Sequence, residues 1–115
     1  MTFPKRGEMY WAKIPRQPGD TKERPILVVS QDSRNEFAHD IIVVPLSTTL
    51  HPSPTHVHLP SGSGGLSQTS MAKCELITTL DKIFLERGPL GGKISAAQMR
   101  EVENAIMRAI GMAIP

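Results

Sequence analysis

The centre of the chain contains IIVVPL at residues 41–46, and a similar run, ILVV, precedes it at residues 26–29. β-Branched side chains favour strands, and a strand without alternating polar residues is covered by apolar groups on both faces. In a small sheet such coverage requires closure into a barrel, a helix on one face or a partner subunit. The two runs therefore predict a β-rich core with more than one apolar layer.

Proline and glycine divide the rest of the chain into short segments, with ten prolines and nine glycines in 115 residues. Segments of this length are typical of an all-β barrel or sandwich. Residues 7–14, 55–59 and 70–80 predict further strands. The stretch SGSGG at residues 61–65 predicts a flexible linker, and residues 15–23 predict a mobile loop long enough to be functional.

The first predicted strand has two different faces. Alternation places Met9 and Trp11 on one face, and Tyr10, Ala12 and Ile14 on the other. Both faces carry apolar side chains, which agrees with a core on each side of the sheet.

After residue 92 the apolar spacing becomes that of a helix. Ser95 followed by Gln98 is a capping-box pattern, and Gly111 marks the end. One apolar stripe for packing follows the cap: Met99, Val102, Ile106 and Ile110. The sequence therefore predicts a mainly β (α+β) fold over residues 1–115, a single domain built as a small SH3-like antiparallel β-barrel with a C-terminal α-helix.

Composition excludes several classes of protein. A net charge of +2 excludes a histone-like polycation but permits a local basic groove. An aromatic content of 4% leaves little material for a base-stacking platform. The chain has no apolar run of signal-peptide or membrane-spanning length, and the single cysteine, Cys74, has no partner for an internal disulfide. These features predict a cytoplasmic protein with no membrane association.

Histidine and cysteine side chains raise the question of a metal site. His56 and His58 share a strand face, and His51 and Cys74 lie within reach in principle, yet no pair has a recognised zinc-site spacing. A serine-hydrolase elbow is absent, and residues 61–65 lack the lysine and the helix of a phosphate loop. The sequence predicts neither a metal nor a cofactor.

Positive charge is concentrated near the N-terminal end, on Lys5, Arg6, Lys13, Arg16, Lys22 and Arg24. Arg24 lies where the long loop enters a buried strand, so rigid backbone holds its guanidinium at the edge of a groove. Arginine binds phosphate through a forked pair of donors. Ser47, Thr48 and Thr49 end the other buried strand and supply hydroxyls, although such residues are also common in turns.

Four motifs, in this order, resemble the MazF/PemK family of toxin endoribonucleases, the effector halves of type II toxin–antitoxin modules. They are RGEMYW at residues 6–11, RPILVVS at 24–30, VVPLST at 43–48 and ITTLDK at 77–82. The resemblance implies a CcdB/MazF-type barrel, a homodimer that binds RNA across its interface, and a cognate antitoxin whose disordered segment folds into that groove.

The same resemblance implies an activity. It is metal-independent cleavage of single-stranded RNA, mRNA in the cell, at short sequence motifs by attack of the ribose 2′-hydroxyl. The products are a 2′,3′-cyclic phosphate and a 5′-hydroxyl, and the consequence is inhibition of translation and growth.

Individual residues acquire roles only through this resemblance. Arg24 and Ser47 correspond to the catalytic pair, and serine stands where the family usually has threonine. Thr78 stands where many members have arginine. Substrate-binding positions correspond to Gly19, Asp20, Thr48, Ser70 and Glu75.

Two other interpretations remain open at this point. A CcdB-like gyrase poison would keep the fold without nuclease chemistry, but the ending MAIP at residues 112–115 lacks the tryptophan-containing terminus of such poisons. A catalytically weakened relative that only binds RNA or an antitoxin is kept open by Ser47.

Overall fold

The structure, a computed structural model, describes residues 2–14, 18–19 and 22–114. The strands are β1 Met9–Lys13, β2 Glu23–Val28, β3 Asp40–Ser47, β4 His56–Leu59, β5 Ser70–Lys73, β6 Thr78–Asp81 and β7 Leu85–Glu86. The α-helices are α1 Asp32–Phe37 and α2 Ala96–Ala109. Short 3-10 turns occupy Ser63–Gly65, Cys74–Leu76 and Lys82–Phe84.

The strands form one antiparallel sheet that branches at β3. Its order is β4-β5-β3-β2-β1-β7, and β6 pairs with β3 beside this path. The predicted antiparallel, mainly β fold with a C-terminal helix is confirmed. The predicted closure into a barrel is wrong, because within the described ranges no pairing joins β4 to β7 and the sheet is open. Coverage of the faces by α2 and by Leu80 and Leu85 buries the apolar layers without closure.

Apolar side chains fill both faces of the sheet. One cluster includes Met9, Leu27, Val44 and Leu46 with Val102 and Ala105 of α2. The other includes Tyr10, Ala12, Ile26, Val28, Ile41 and Val43. Alternate residues of β1, β2 and β3 therefore enter different clusters, which confirms both the double coverage of the two central runs and the two apolar faces of β1.

A bulge interrupts the strand predicted over residues 70–80. Leu46 pairs with Ala72 and Val43 with Thr78, so the five residues 73–77 lie against only two, 44 and 45. The extra residues form the turn Cys74–Leu76.

Proline explains the position of this bulge. Ile42 donates its N–H to Ser30 Oγ and accepts from Val29 N, both at 2.9 Å, so its backbone faces β2. Pro45, three residues on, faces the other edge and has no N–H for the ladder there. The prediction of one uninterrupted strand is therefore wrong.

The predicted flexible linker over residues 61–65 is also wrong. Gly64 is buried, and Gly65 adopts a left-handed backbone with φ of +90°. A Cβ on Gly65 would lie 2.4 Å from the carbonyl oxygen of Leu90, so the two backbones touch. Glycine here permits close packing of two loops, and that packing sets the positions of Leu66 and Leu90.

The two helices differ in how the sequence signals them. The capping box of α2 is confirmed, with Ser95 Oγ accepting from Gln98 N and Gln98 Oε1 accepting from Ser95 N, each at 3.0 Å. Helix α1 was not predicted, since its sequence DSRNEF has no apolar period. Buried Asn35 anchors α1 instead, by donating from Nδ2 to the Ser30 carbonyl oxygen at 2.9 Å. No helix in the described ranges is long and apolar enough to cross a membrane.

Candidate active site

The β2–β3 ladder ends beside the residues that the sequence singled out. Ile26 pairs with Pro45 and Leu27 with Val44, and these are the last pairs toward this end of the sheet. If the same register continued for two more residues, Arg24 would lie opposite Ser47. The β2–β3 pairing stops before this point, while the other edge of β3 pairs with β5 at Leu46 and Ser47. A space lined by residues of β2 and β3 opens there.

This space is a cavity of about 380 Å³, lined by residues of four strands and of four connecting segments. Arg24, Ser47, Thr48 and Ser70 all contribute to the lining, as do the loop at residues 66–68 and Leu90. The structure thus brings together four of the seven predicted site residues. Their common position is a consequence of the strand register, since they lie far apart in the chain.

Arg24 is held by the backbone of β1 and of the residue that follows this strand. It belongs to β2, where it pairs with Ala12 of β1, and its side chain is half-buried. Nη1 donates to the Ile14 carbonyl oxygen at 3.2 Å. A guanidinium carries five donors in a planar fork, the geometry by which arginine binds phosphate and carboxylate groups. The arrangement is that of a positioned, permanently charged group.

Hydroxyl groups occupy the other wall of the cavity. Ser47 Oγ accepts from Thr49 N at 3.1 Å, which orients the hydroxyl and leaves its hydrogen for a further acceptor. Thr48 is exposed at the rim. Ser70 is buried and its hydroxyl donates to the Gln68 carbonyl oxygen at 3.1 Å, so it stabilises the loop that lines the cavity.

The described residues that line the cavity include more cations than carboxylates. Lys22, Arg24 and Lys73 contribute cations, and Glu23 contributes a carboxylate. That carboxylate accepts from Arg87 Nη2 at 3.0 Å, so its charge is already matched. An anionic ligand therefore fits this cavity better than a cationic one.

The remaining predicted site residues lie apart from the cavity. Gly19 is exposed, has a left-handed backbone with φ of +84°, and is not part of the lining formed by the described residues. Asp20 lies outside the described residues. Glu75 belongs to the turn Cys74–Leu76, where its carboxylate accepts from Thr55 Oγ1 and contacts His56 Nε2, both at 2.9 Å.

His56 forms a clamp with both of its ring nitrogens. Nδ1 lies 2.6 Å from the His51 carbonyl oxygen and Nε2 lies 2.9 Å from Glu75 Oε2. Both partners are acceptors, so this arrangement favours the protonated ring, which carries hydrogen on both nitrogens. The backbone hydrogen bond to His51 is the main cause that raises the pKa of His56, with Glu75 adding to it against desolvation and the charge of Lys73.

The pKa values of the two neighbouring residues Glu75 and Cys74 shift in opposite directions. Partial burial acts to raise the pKa of Glu75, but the bonds from His56 and Thr55 outweigh it and hold that pKa below its ordinary value. Burial, with the Glu75 charge, raises the pKa of Cys74 to about 12, so this thiol is a small apolar core group. No cluster of three or more metal-ligating side chains occurs in the part of the chain that the structure describes.

The clamp predicts a pH-dependent stability. A raised histidine pKa stabilises the fold fully below the ordinary value of 6.5, and this contribution is lost as pH rises through the folded-state pKa. Glu75, with a lowered pKa, contributes above its ordinary value of 4.5 and loses its effect as pH falls through the folded-state pKa. The melting-temperature difference between the wild type and Glu75→Gln should therefore be largest near pH 6 and shrink toward alkaline pH.

Exposed His58 supplies the control for this measurement, since it lies on the same strand and takes no part in the clamp. His58→Gln should change the melting temperature equally at all pH values. A Glu75→Gln difference that is constant from pH 5 to pH 9 would contradict the charged clamp.

Sequence reasoning missed two side chains of the cavity. Trp11 lines it and is half-buried, although the low aromatic content argued against stacking. Alternation along β1 placed Trp11 on the same face as Met9, and this was the available signal. The register that pairs Trp11 with Pro25 could not be predicted from the sequence. Lys73 had no signal at all, because the bulge that follows it was not predictable from periodicity.

Fold and site together define a class of protein: a small antiparallel β domain with a C-terminal helix, whose cationic cleft combines a fixed arginine with a hydroxyl group. Residues 5–110 match the family described as PemK-like, MazF-like toxin of type II toxin–antitoxin system, and the chain belongs to this family.

Individual relatives are similar along nearly their whole length. The endoribonuclease MazF of Staphylococcus saprophyticus is 29% identical over 112 residues, covering 94% of this chain and 92% of the relative. The solved structure of a mycobacterial endoribonuclease in complex with its cognate antitoxin is 30% identical with a TM-score of 0.80, covering 97% of this chain and 99% of that one. A further mycobacterial endoribonuclease structure is 29% identical with a TM-score of 0.81, covering 100% of this chain and 98% of that one.

Proposed function

We propose that this chain is the toxin of a type II toxin–antitoxin system and acts as an endoribonuclease on single-stranded RNA. The observation that carries the proposal is the convergence of Arg24 and Ser47 at the split end of the β2–β3 ladder, in one cationic cavity. Family membership and the endoribonuclease relatives support the same reaction.

The chemistry follows from what a phosphodiester in this cavity requires. Attack by the ribose 2′-hydroxyl forms a 2′-O–P bond and breaks the P–O5′ bond, so the products are a cyclic phosphate and a 5′-hydroxyl. The 2′-hydroxyl loses its proton and the leaving 5′-oxygen gains one. Between these events the phosphorus has five oxygen neighbours and carries extra negative charge, which is where a fixed cation has most effect.

Each residue of the pair has a distinct part in this step. The Arg24 guanidinium stabilises the extra charge on the phosphoryl oxygens, because it is already oriented and stays charged. The Ser47 hydroxyl donates to a phosphoryl oxygen and orients it, with Thr49 N holding the serine oxygen. Trp11 offers a ring on which one unpaired base stacks, which favours single strands over duplex.

Partners and location follow as parts of the proposal. The antitoxin is a protein whose segment occludes the cationic cleft, as the family resemblance implies, and a relative has been solved in complex with its cognate antitoxin. The toxin acts as a homodimer, as the family resemblance implies, and works in the cytoplasm, where its mRNA substrate is found. The reaction requires no cofactor, since the arginine and the hydroxyl supply the needed charge and orientation.

Cleavage of RNA in the presence of a chelator tests the proposal. Purified protein with a long, weakly structured RNA in EDTA should give discrete cuts with cyclic-phosphate ends. The same RNA with deoxyribose at the cut position should bind and resist cleavage, because the nucleophile is missing. Ser47→Ala should slow cleavage by about 10- to 100-fold, since it loses one oriented donor to the phosphate.

Ser33→Ala is the matched control, as Ser33 is exposed on α1 and does not line the cavity. It should cleave at the wild-type rate. Absence of any cleavage by the wild type would refute the nuclease, and inhibition of DNA supercoiling without cleavage would instead support a gyrase poison.

A further inference from the structure

Lys73 lines the same cavity as Arg24 and Ser47, at the C-terminal end of β5. It is half-buried and its backbone is anchored, because Lys73 pairs with His56 while the preceding Ala72 pairs with both Val57 and Leu46. The turn Cys74–Leu76 begins immediately after it. Lys73 therefore stands on rigid backbone at the wall of the cavity.

The charge of Lys73 is not matched by the acids around it. No ion pair involves Lys73 among the residues that the structure describes. Glu75, the nearest acid in sequence, is engaged by Thr55 and by His56. Glu23, the acid in the cavity lining, is engaged by Arg87.

The nearest titratable neighbour of Lys73 is already paired. His56 and Lys73 are direct partners across the β4–β5 ladder, so their side chains project from the same face of the sheet. His56 contacts Glu75 through Nε2 at 2.9 Å, so neither of these residues supplies an ion-pair partner for Lys73. A cation without an ion pair at the cavity wall favours an anion in the cavity.

We propose that Lys73 is a substrate-binding residue that binds a second backbone phosphate of the RNA, next to the one held by Arg24 and Ser47. This rests on the proposed function and deepens it: the substrate is an oligonucleotide with at least two phosphates in the site. Lysine acts here as a point charge without a fork, so it stabilises the bound strand and leaves the chemical step to the pair.

Salt dependence of binding tests this directly. A 2′-deoxy-substituted oligonucleotide with a fluorescent label binds without being cut, and fluorescence anisotropy gives its affinity between 50 and 300 mM salt. For single strands each phosphate contact contributes about 0.7 to the slope of log K against log salt. Lys73→Met should lower the slope by about 0.7 relative to wild type. Lys73→Arg should keep the wild-type slope, because it keeps the charge.

Lys93→Met is the matched control, since Lys93 is exposed and does not line the cavity. It should leave the slope unchanged. A methylphosphonate placed successively along the oligonucleotide should weaken wild-type binding at the position that Lys73 contacts, and should have no further effect there in Lys73→Met.

The outcomes separate the two proposals. The role of Lys73 would be overturned by an unchanged salt slope in a folded Lys73→Met. It would also be overturned if the methylphosphonate weakened binding by Lys73→Met as much as it weakens wild-type binding at every position. A reduced slope with no RNA cleavage by the wild type would leave Lys73 as a phosphate-binding residue and remove the nuclease. In cleavage assays Lys73→Met should raise KM and leave kcat within about twofold, as expected when an interaction is equal in the ground and transition states.

Discussion

Arg24→Ala is expected to abolish RNA cleavage while the protein stays folded. The guanidinium lines the same cavity as the hydroxyl groups of Ser47 and Thr48, and its Nη1 donates to the Ile14 carbonyl oxygen. A positioned guanidinium that stabilises charge on a phosphoryl group contributes about 10³-fold or more to kcat. The single-turnover rate at saturating protein should therefore fall by about this factor.

Two variants make the Arg24 result interpretable. Arg24→Lys keeps the charge and loses the fork, so it should recover only part of the rate. Arg100→Ala removes an arginine from the exposed face of α2, where its side chain is 76% exposed, and should cleave normally. If Arg24→Ala with an unchanged melting temperature cleaves within about tenfold of wild type, the charge-stabilising role is wrong.

Gly65→Ala is expected to lower the free energy of unfolding more than any other substitution considered for this protein. The substitution forces a side chain into a left-handed backbone with φ of +90° and brings Cβ to 2.4 Å from the Leu90 carbonyl oxygen and 2.7 Å from Gly91 N. Both atoms belong to backbone, so neither moves cheaply. Backbone strain and overpacking should together lower the free energy of unfolding by about 3 kcal/mol or more. The thermal midpoint should fall by about 12 °C or more for a domain of this size.

Two other glycines separate the causes of this loss. Gly62 also has a positive φ, +95°, but a Cβ there would meet nothing within 4 Å, so Gly62→Ala measures backbone strain alone. Gly92 has open space and no positive φ, so Gly92→Ala should be nearly neutral. Equal losses for Gly62→Ala and Gly65→Ala would contradict the close contact with Leu90. Activity should fall with Gly65→Ala even where the protein is folded, because the displaced loop lines the cavity.

Much of the fold was predictable because its signals are local. The capping box at Ser95 and the two faces of β1 depend on residues a few positions apart, and both are confirmed. The predicted apolar stripe of α2 is confirmed for Met99, Val102 and Ile106, but it is wrong for Ile110, which follows the last helical residue and is 62% exposed. The two β-branched runs were correctly interpreted as doubly covered strands. Helix α1 was missed for the same reason, since it has no local apolar period and depends on buried Asn35.

The candidate site was predictable in part. Arg24 and Ser47 were chosen from motifs at strand ends, and both line the cavity. The engagement of Glu75 by His56 and Thr55 and the entry of Trp11 and Lys73 into the cavity were not foreseen. These contacts depend on which residues of different strands face each other, and no spacing within one segment encodes that.

The sequence by itself therefore determined most of the strands and the capped helix, because propensity and capping act over short distances along the chain. The pairing of Arg24 with Ser47 came from the resemblance of their motifs to the MazF/PemK family. Only the tertiary structure decided that the sheet stays open, that residues 73–77 bulge past Pro45, and that Lys73 and Trp11 join Arg24 and Ser47 around one cavity. The physical reason is register: antiparallel pairing between segments far apart in sequence sets which side chains meet, and a single proline or a glycine contact shifts it.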